Sequence, residues 1–316
     1  MLLFLLNSWL GSGAQTMDQM IDLYGEQFPG EKVYLHFDKW SYLPGETIWF
    51  RSVRDLAFER CLPVFQPPDV NAPAMVEAMR RIAPDVIFSF YFRQMLGRAI
   101  LDIPRAGAFN LHGSLLPRYR GRCPVNWVLV RGESETGVTL HRMEIKADSG
   151  PILAQARVPI DFTDSARTLF DKMTDAAAAL MRETWPRMLR GEITETPQDH
   201  AAASYFGGRS QKDGLIDWGR PATAIYNLVR AVTHPYPGAF TLVPGGRRLF
   251  VWWAEPDEDA PTGGAAPGTV LSPRRPGAID VATGKGVLRI VRAQAEGGEE
   301  AAAAGAIDIP TGAVLG

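Results

Sequence analysis

Residues 86–90 read Val-Ile-Phe-Ser-Phe, and residues 107–121 read Gly-Ala-Phe-Asn-Leu-His-Gly-Ser-Leu-Leu-Pro-Arg-Tyr-Arg-Gly. The first is an almost unbroken apolar run of strand length. With no alternation to leave one face wet, it is the pattern of a strand covered on both sides in an α/β sheet. Residues 108–112 form a second such run. Outward from this pair the chain keeps switching between helical and strand periods. Met75, Val76, Met79 and Ile82 fall on helical spacing. Pro124 suits the first turn of a helix reaching about Arg131, and Gly132 suits its end. Residues 138–143 and 152–160 read as strands. A long helix then carries Ala166, Leu169, Phe170, Met173, Ala177, Leu180 and Met181 on one face, with Thr163 or Asp164 as N-cap, a kink at Pro186 and an end at Gly191. Before residue 86, Val53, Leu56, Ala57 and Arg60 suggest a helix and residues 62–65 a short strand. Strands and helices taking turns in this way predict a Rossmann-like, doubly wound parallel sheet.

Beyond about residue 204 the pattern changes. A helix at 221–232 precedes short strands at 239–243, 249–253, 268–271 and 286–292, separated by Pro- and Gly-rich turns, as in a small OB-like β-barrel. Residues 297–305, acidic and alanine-rich, read as a solvated loop. The first 50 residues follow neither pattern. Val33, Leu35 and Phe37 alternate with Tyr34 and His36 as in a half-buried strand, and Leu43-Pro44-Gly45-Glu46 reads as a turn. The apolar start with small residues near Ala14 has a leader-like look, but no basic residue precedes it. The expected division is therefore a foreign or divergent segment at 1–50, a catalytic domain at 51–203 and a barrel domain at 204–316.

A chain of 316 residues with a net charge of −2 has room for two cores and gives no general reason to bind nucleic acid or a membrane surface. No apolar run reaches bilayer-spanning length. Two cysteines cannot build a disulfide framework, which fits a reducing, cytoplasmic setting. Neither they nor the five histidines have metal-ligand spacing, so no metal is expected.

Chemistry concentrates at residues 110–121. Asn110 and His112 lie two apart on a strand, so their side chains share a face. They fall where a buried α/β strand ends, the usual place for a site. Residues 115–117, Leu-Leu-Pro, turn the chain sharply out of the strand. Acyl transfer to an amine needs a base, which a histidine can supply. It also needs a fixed donor for the developing oxyanion, which an asparagine amide can supply. A carboxylate beside the histidine would stabilise its charged form. Asp148, in Lys146-Ala147-Asp148-Ser149-Gly150, follows a predicted strand and can face that end. Each has a plainer reading as well. Alone, His112 would be a satisfied core residue, Asp148 a turn carboxylate and Arg122 a surface charge.

The Asn-x-His-x-Ser-Leu-Leu-Pro motif at 110–117, with Asp148 and Gly150 downstream, resembles that of the folate-dependent formyltransferases; the likeness runs from about Arg51 to Phe240. It implies 10-formyltetrahydrofolate as formyl donor, with Asn110 stabilising the oxyanion, His112 handling the amine proton and Asp148 raising the pKa of His112. By the same resemblance Ser89, Phe90, Tyr91, Arg122, Glu144, Ile145, Lys146 and Ala147 would line or contact the folate site. Residues 84–91, 107–122, 126–130, 135–143 and 227–240 are most similar to the branch that formylates UDP-4-amino-4-deoxy-L-arabinose in lipid A modification. A UDP-amino sugar is thus the implied small-molecule partner, and nucleic acid is not. Met-tRNA formyltransferases share the motif but usually have Ala where this chain has Gly113, and they lack the Tyr119-Arg120-Gly121-Arg122 continuation.

The family opens with a strand, a helix and a second strand, which residues 1–50 do not resemble. Residues 31–50 are similar instead to the start of a macroglobulin-like β-sandwich. The first βαβ unit is accordingly expected to be missing or replaced. Three readings remain open: an amino-sugar formyltransferase, a Met-tRNA formyltransferase and a catalytically inactive fusion.

Overall fold

The computed structural model describes residues 2–5, 67–90, 92 and 94–316. The readings made for 31–65 lie outside these residues, as does Tyr91. The described chain divides into two compact units. One draws on the chain up to 121 together with 137–157 and 175–205; the other takes 122–136, 158–174 and 206–316.

The first unit is built on a five-stranded sheet. Its strands are β1 (Leu2–Leu5), β2 (Val86–Phe90), β3 (Gly107–His112), β5 (Glu135–Arg142) and β6 (Ile152–Pro159), adjacent in that order. A short strand, β4 (Arg120–Gly121), pairs separately with β7 (Tyr205–Phe206). The α/β class read from the sequence holds, but the sheet is mixed. Only β2 and β3 run parallel among the described pairings; β1 and β5 join that pair antiparallel. The sequence period marks burial and carries no information on strand direction.

Strand β2 is covered on both faces, as its apolar run requires. Ile87 packs in a core with Met75, Val76, Met79 and Ile82 of α1 (Pro73–Ile82) and Ile100 of α2 (Arg98–Leu101). Its neighbour Phe88 meets Trp185 edge-on at 5.4 Å and Phe109 at 5.8 Å. Trp185 lies on α4 (Ala166–Leu189), which runs through Pro186 and ends before Gly191, whose φ is +68°. The N-cap of α4 is Ser165 rather than Thr163 or Asp164. Its Oγ accepts from the Thr168 N–H, and the Thr168 Oγ1 accepts from the Ser165 N–H.

In the second unit α3 (Pro124–Val130) and α5 (Ala222–Val232) accompany an antiparallel half-barrel. Its strand order is β10 (Val270–Leu271), β11 (Ile279–Ala282), β12 (Val287–Ala295), β9 (Arg248–Asp257) and β8 (Ala239–Leu242), with β13 (Glu300–Ala302) on β12. The barrel reading is met, with two differences. β11 was not foreseen, because the buried Asp280 interrupts its apolar pattern; Arg274 and Arg289 neutralise that carboxylate. The stretch read as a solvated loop instead supplies β13 and the short helix α6 (Ala303–Ala306), where Ala303 is fully buried.

Arg230 of α5 is 3 % exposed and ties this unit internally. Its guanidinium donates to Asn227 Oδ1 at 2.9 Å and to the carbonyls of Asp161 (3.0 Å), Asp164 (3.2 Å) and Phe162 (3.3 Å).

Candidate active site

The register of β3 against β5 sets the geometry. Asn110 lies directly opposite His141, and His112 opposite Thr139. On the other side Ser89 of β2 pairs with Asn110. Alternation along β3 turns Asn110 and His112 to one face. The loop leaving β5 returns Asp148 to the same place. Asp148 Oδ1 lies 3.5 Å from each of His112 Nδ1, His141 Nε2 and Asn110 Nδ2. Its Oδ2 accepts from the Gly121 N–H at 2.8 Å. The three residues singled out from the sequence are therefore brought together around one carboxylate.

Hydrogen bonding assigns the protons. His112 Nε2 lies 2.8 Å from the Tyr119 carbonyl, which can only accept, so Nε2 carries the hydrogen. In the neutral ring Nδ1, facing Asp148, is then unprotonated. His141 Nδ1 lies 2.8 Å from the Arg142 carbonyl and is likewise the protonated nitrogen. Its Nε2 accepts from the Asn110 amide at 3.2 Å. Both Nδ2 hydrogens of Asn110 thus have partners in this state. Donation to a substrate oxyanion would exchange the long contact with Asp148.

Asp148 acts on His112 in the expected, raising direction, but it does not set the net shift. Burial lowers the His112 pKa below its ordinary value and prevails over Asp148, which acts in the raising direction together with the Tyr119 carbonyl. Asp148 therefore opposes a net downward shift. The Asp148 carboxyl is itself pushed up by burial. Its proximity to His112, its contact with His141 and the Gly121 N–H outweigh this and bring it down to about 2. At neutral pH the arrangement is an imidazole with a free Nδ1 beside an ionised carboxylate.

Several elements hold Asp148 in place. Its backbone is left-handed, with φ +53°, which Asp tolerates better than most residues. Gln198 Nε2 donates to the carbonyls of Asp148 (3.0 Å) and Gly150 (2.6 Å). Gln198 in turn accepts from Arg120, which is fully buried and also donates to the Tyr205 hydroxyl at 2.6 Å. At Gly150 a Cβ would stand 2.1 Å from the Arg142 carbonyl oxygen, so only glycine lets the loop lie this close to β5.

The other residues expected at a folate site divide into groups. Ser89 is buried beside Asn110, and Phe90 ends the same strand. Glu144, Ile145, Lys146 and Ala147 form the loop that delivers Asp148. There Ser149 Oγ bonds Glu144 Oε2 and the Lys146 carbonyl, while Ile145 is 49 % exposed. Arg122 belongs to the second unit, where its N–H donates to the Phe206 carbonyl. Sequence reasoning had left His141 and Arg120 out of the site. His141 was set aside for want of metal spacing, and its place depends on strand register, which a single chain does not display.

Two family models match the chain: "Formyl transferase" over residues 45–184 and "Formyl transferase, C-terminal domain" over 209–308. Together they take in about three quarters of its length. This chain belongs to the formyl transferase family. Solved structures with the same fold include HypX from Aquifex aeolicus in complex with tetrahydrofolic acid, at TM-score 0.59 and 19 % identity over 85 % of this chain and 46 % of that one. The chain spans under half the length of the HypX chains it matches. An N-formyltransferase from Helicobacter canadensis, solved with folinic acid and dTDP-3-aminofucose, aligns at TM-score 0.57 and 19 % identity over 80 % of this chain and 84 % of that one. A sugar N-formyltransferase from Shewanella sp. aligns at TM-score 0.56 and 17 % identity over 68 % and 82 %. Among the described residues no helix of this family member is long and apolar enough to cross a membrane.

Proposed function

We propose that this formyl transferase family member carries the formyl group of 10-formyltetrahydrofolate to the primary amine of an amino-sugar nucleotide of the UDP-4-amino-4-deoxy-L-arabinose type. In this reading it is a cytoplasmic enzyme of the lipid A modification class. The observation that carries the reading is the convergence of Asn110, His112 and Asp148 at one strand end, with contacts of 3.5 Å to a single carboxylate oxygen. The family match and the folate and amino-sugar ligands of similar structures support it.

The residues divide the work as follows. His112, neutral at physiological pH, takes a proton from the amine at Nδ1 as the amine nitrogen bonds to the formyl carbon. The imidazolium so formed faces the ionised Asp148, which offsets its burial. The Asn110 amide donates to the oxygen that gains negative charge. His112 then returns the proton to the departing N10 nitrogen as its bond to the formyl carbon breaks, leaving a formamide and tetrahydrofolate. Ser89, Phe90, Tyr91, Arg122 and the 144–147 loop are assigned to the folate.

Consumption of 10-formyltetrahydrofolate against a panel of 4-amino and 3-amino sugar nucleotides, with Met-tRNA as a further acceptor, tests this. Turnover with a UDP-4-amino sugar is expected. Turnover with Met-tRNA alone would replace the acceptor, and no turnover with any amine would support an inactive fusion.

A further inference from the structure

Residues 119–121 touch both halves of the catalytic pair. The Tyr119 carbonyl accepts from His112 Nε2 at 2.8 Å, and the Gly121 N–H donates to Asp148 Oδ2, also at 2.8 Å. Arg120 stands between these two contacts and is fully buried. The segment is anchored in turn by Ser204. Its Oγ accepts from the Tyr119 N–H and its carbonyl from the Arg120 N–H, each at 2.9 Å.

The Arg120 guanidinium reaches back to the loop that carries Asp148. Its Nε and Nη2 both donate to Gln198 Oε1, Nη1 donates to the Tyr205 hydroxyl at 2.6 Å, and Nη2 also donates to His200 Nδ1 at 3.1 Å. A guanidinium can only donate, so the fork fixes which way the Gln198 amide faces. Its two hydrogens then point to the carbonyls of Asp148 and Gly150. Lys146 of the same loop places Nζ 5.2 Å from the Tyr205 ring centroid, a second link to the group that Arg120 holds. Asp148 is thus gripped at its carboxylate by Gly121 and at its carbonyl by Gln198.

None of the side chains in this fork is a carboxylate. The charge of Arg120 is also felt at His112. There burial is the main lowering influence on the pKa, His141 and Arg120 add to it, and Asp148 and the Tyr119 carbonyl oppose it. A lysine could supply the same charge but not the planar fork.

We propose that Arg120 is a positioning residue for the transfer: through Gln198 it holds Asp148 against His112, and its charge favours the neutral imidazole that takes the amine proton. Its part in catalysis rests on the function proposed above; its hold on the pair does not.

Two readouts test this. One is kcat and KM for 10-formyltetrahydrofolate across pH, with an amino-sugar nucleotide as acceptor. The other is an NMR titration of the full chain with labelled histidines, the His112 signal being assigned by its loss in His112→Gln. Gln198→Leu keeps the cation and releases the loop. It is expected to lower kcat about tenfold, as misplacement of a catalytic group does, with KM for the folate little changed. The acid limb and the His112 titration should both move to lower pH, because Asp148 then supports the imidazolium less. Arg120→Lys should move them the same way and retain more turnover than Arg120→Met. These two variants differ chiefly in charge, so His112 should titrate higher in Arg120→Met than in Arg120→Lys. An unmoved limb and titration in both Gln198→Leu and Arg120→Lys, with only a lower Tm, would reduce the network to scaffolding and overturn the proposal. Coincident titrations in Arg120→Lys and Arg120→Met would remove the role of the charge. If Arg120→Met fails to fold, the other two variants still decide the hold on Asp148. The expected titration shifts in a chain that formylates no amine would uphold that hold while sinking the transfer reading.

Discussion

The carboxylate centre and the Arg230 knot are both buried polar networks, yet they use their hydrogen bonds in opposite ways. Arg230 reaches four oxygens, and every one is a fixed partner in its own unit. At Asp148 three groups crowd one oxygen at 3.5 Å, each too long for a strong bond, and His112 Nδ1 carries a lone pair with no hydrogen to accept. A saturated network fixes structure. An incompletely satisfied one retains capacity that a substrate can take up, and burial without satisfaction is a cost that function can account for.

The contrast can be broken most severely at His112. His112→Ala is expected to reduce kcat by about 10²–10⁴-fold, the usual contribution of a positioned acid–base group, while folate binding and the unfolding midpoint change little. Near-normal turnover in that variant would remove the distinction altogether. Asp148→Asn comes next and sharpens it through pH. Activity requires neutral His112, whose pKa burial holds below the ordinary histidine value, so the acid limb of kcat/KM should lie below that of a free imidazole in the wild type. Without the ionised carboxylate the imidazolium is less stable, so the limb should move lower still while turnover drops. A limb moving upward would contradict the assignment of charge.

Arg230→Met probes the saturated side. Removing the shared donor to the carbonyls of 161, 162 and 164 and to Asn227 is expected to cost roughly 1–3 kcal/mol, read as a lower Tm, with kcat at 25 °C nearly unchanged. A large kcat effect at unaltered stability would show that the two networks are not so different in kind. The smallest effect is expected at the helix cap. Ser165→Ala should lower stability by about 1 kcal/mol by denaturant melting and leave the acid limb unmoved.

How far the sequence reached follows from what sort of information each feature needs. Asn110 and His112 were legible because two residues and one strand define their direction. Asp148 was legible as a candidate and in the direction of its effect, but the net shift at His112 was not. A motif suggests that a carboxylate raises a histidine's pKa, whereas the balance with burial requires the surrounding atoms. His141 was invisible because it acts from the neighbouring strand, through a register that joins residues 31 positions apart. Arg120 was missed for a different reason. An arginine in a turn reads as solvated, and here Gln198, His200 and Tyr205, all about 80 residues later, supply the partners that let it be buried. β11 shows the same limit, since Asp280 breaks an apolar pattern that two arginines repair in space.

The left-handed backbone at Asp148 also bears on how such a chain could drift. Few residues with a side chain tolerate that conformation, and asparagine is among them. In a saturation library at this position selected for folding alone, Asn and Gly should survive ahead of Glu, although Glu preserves the charge. A descendant that abandons catalysis would then be expected to carry an amide at 148 long before its scaffold shows any other sign of the change.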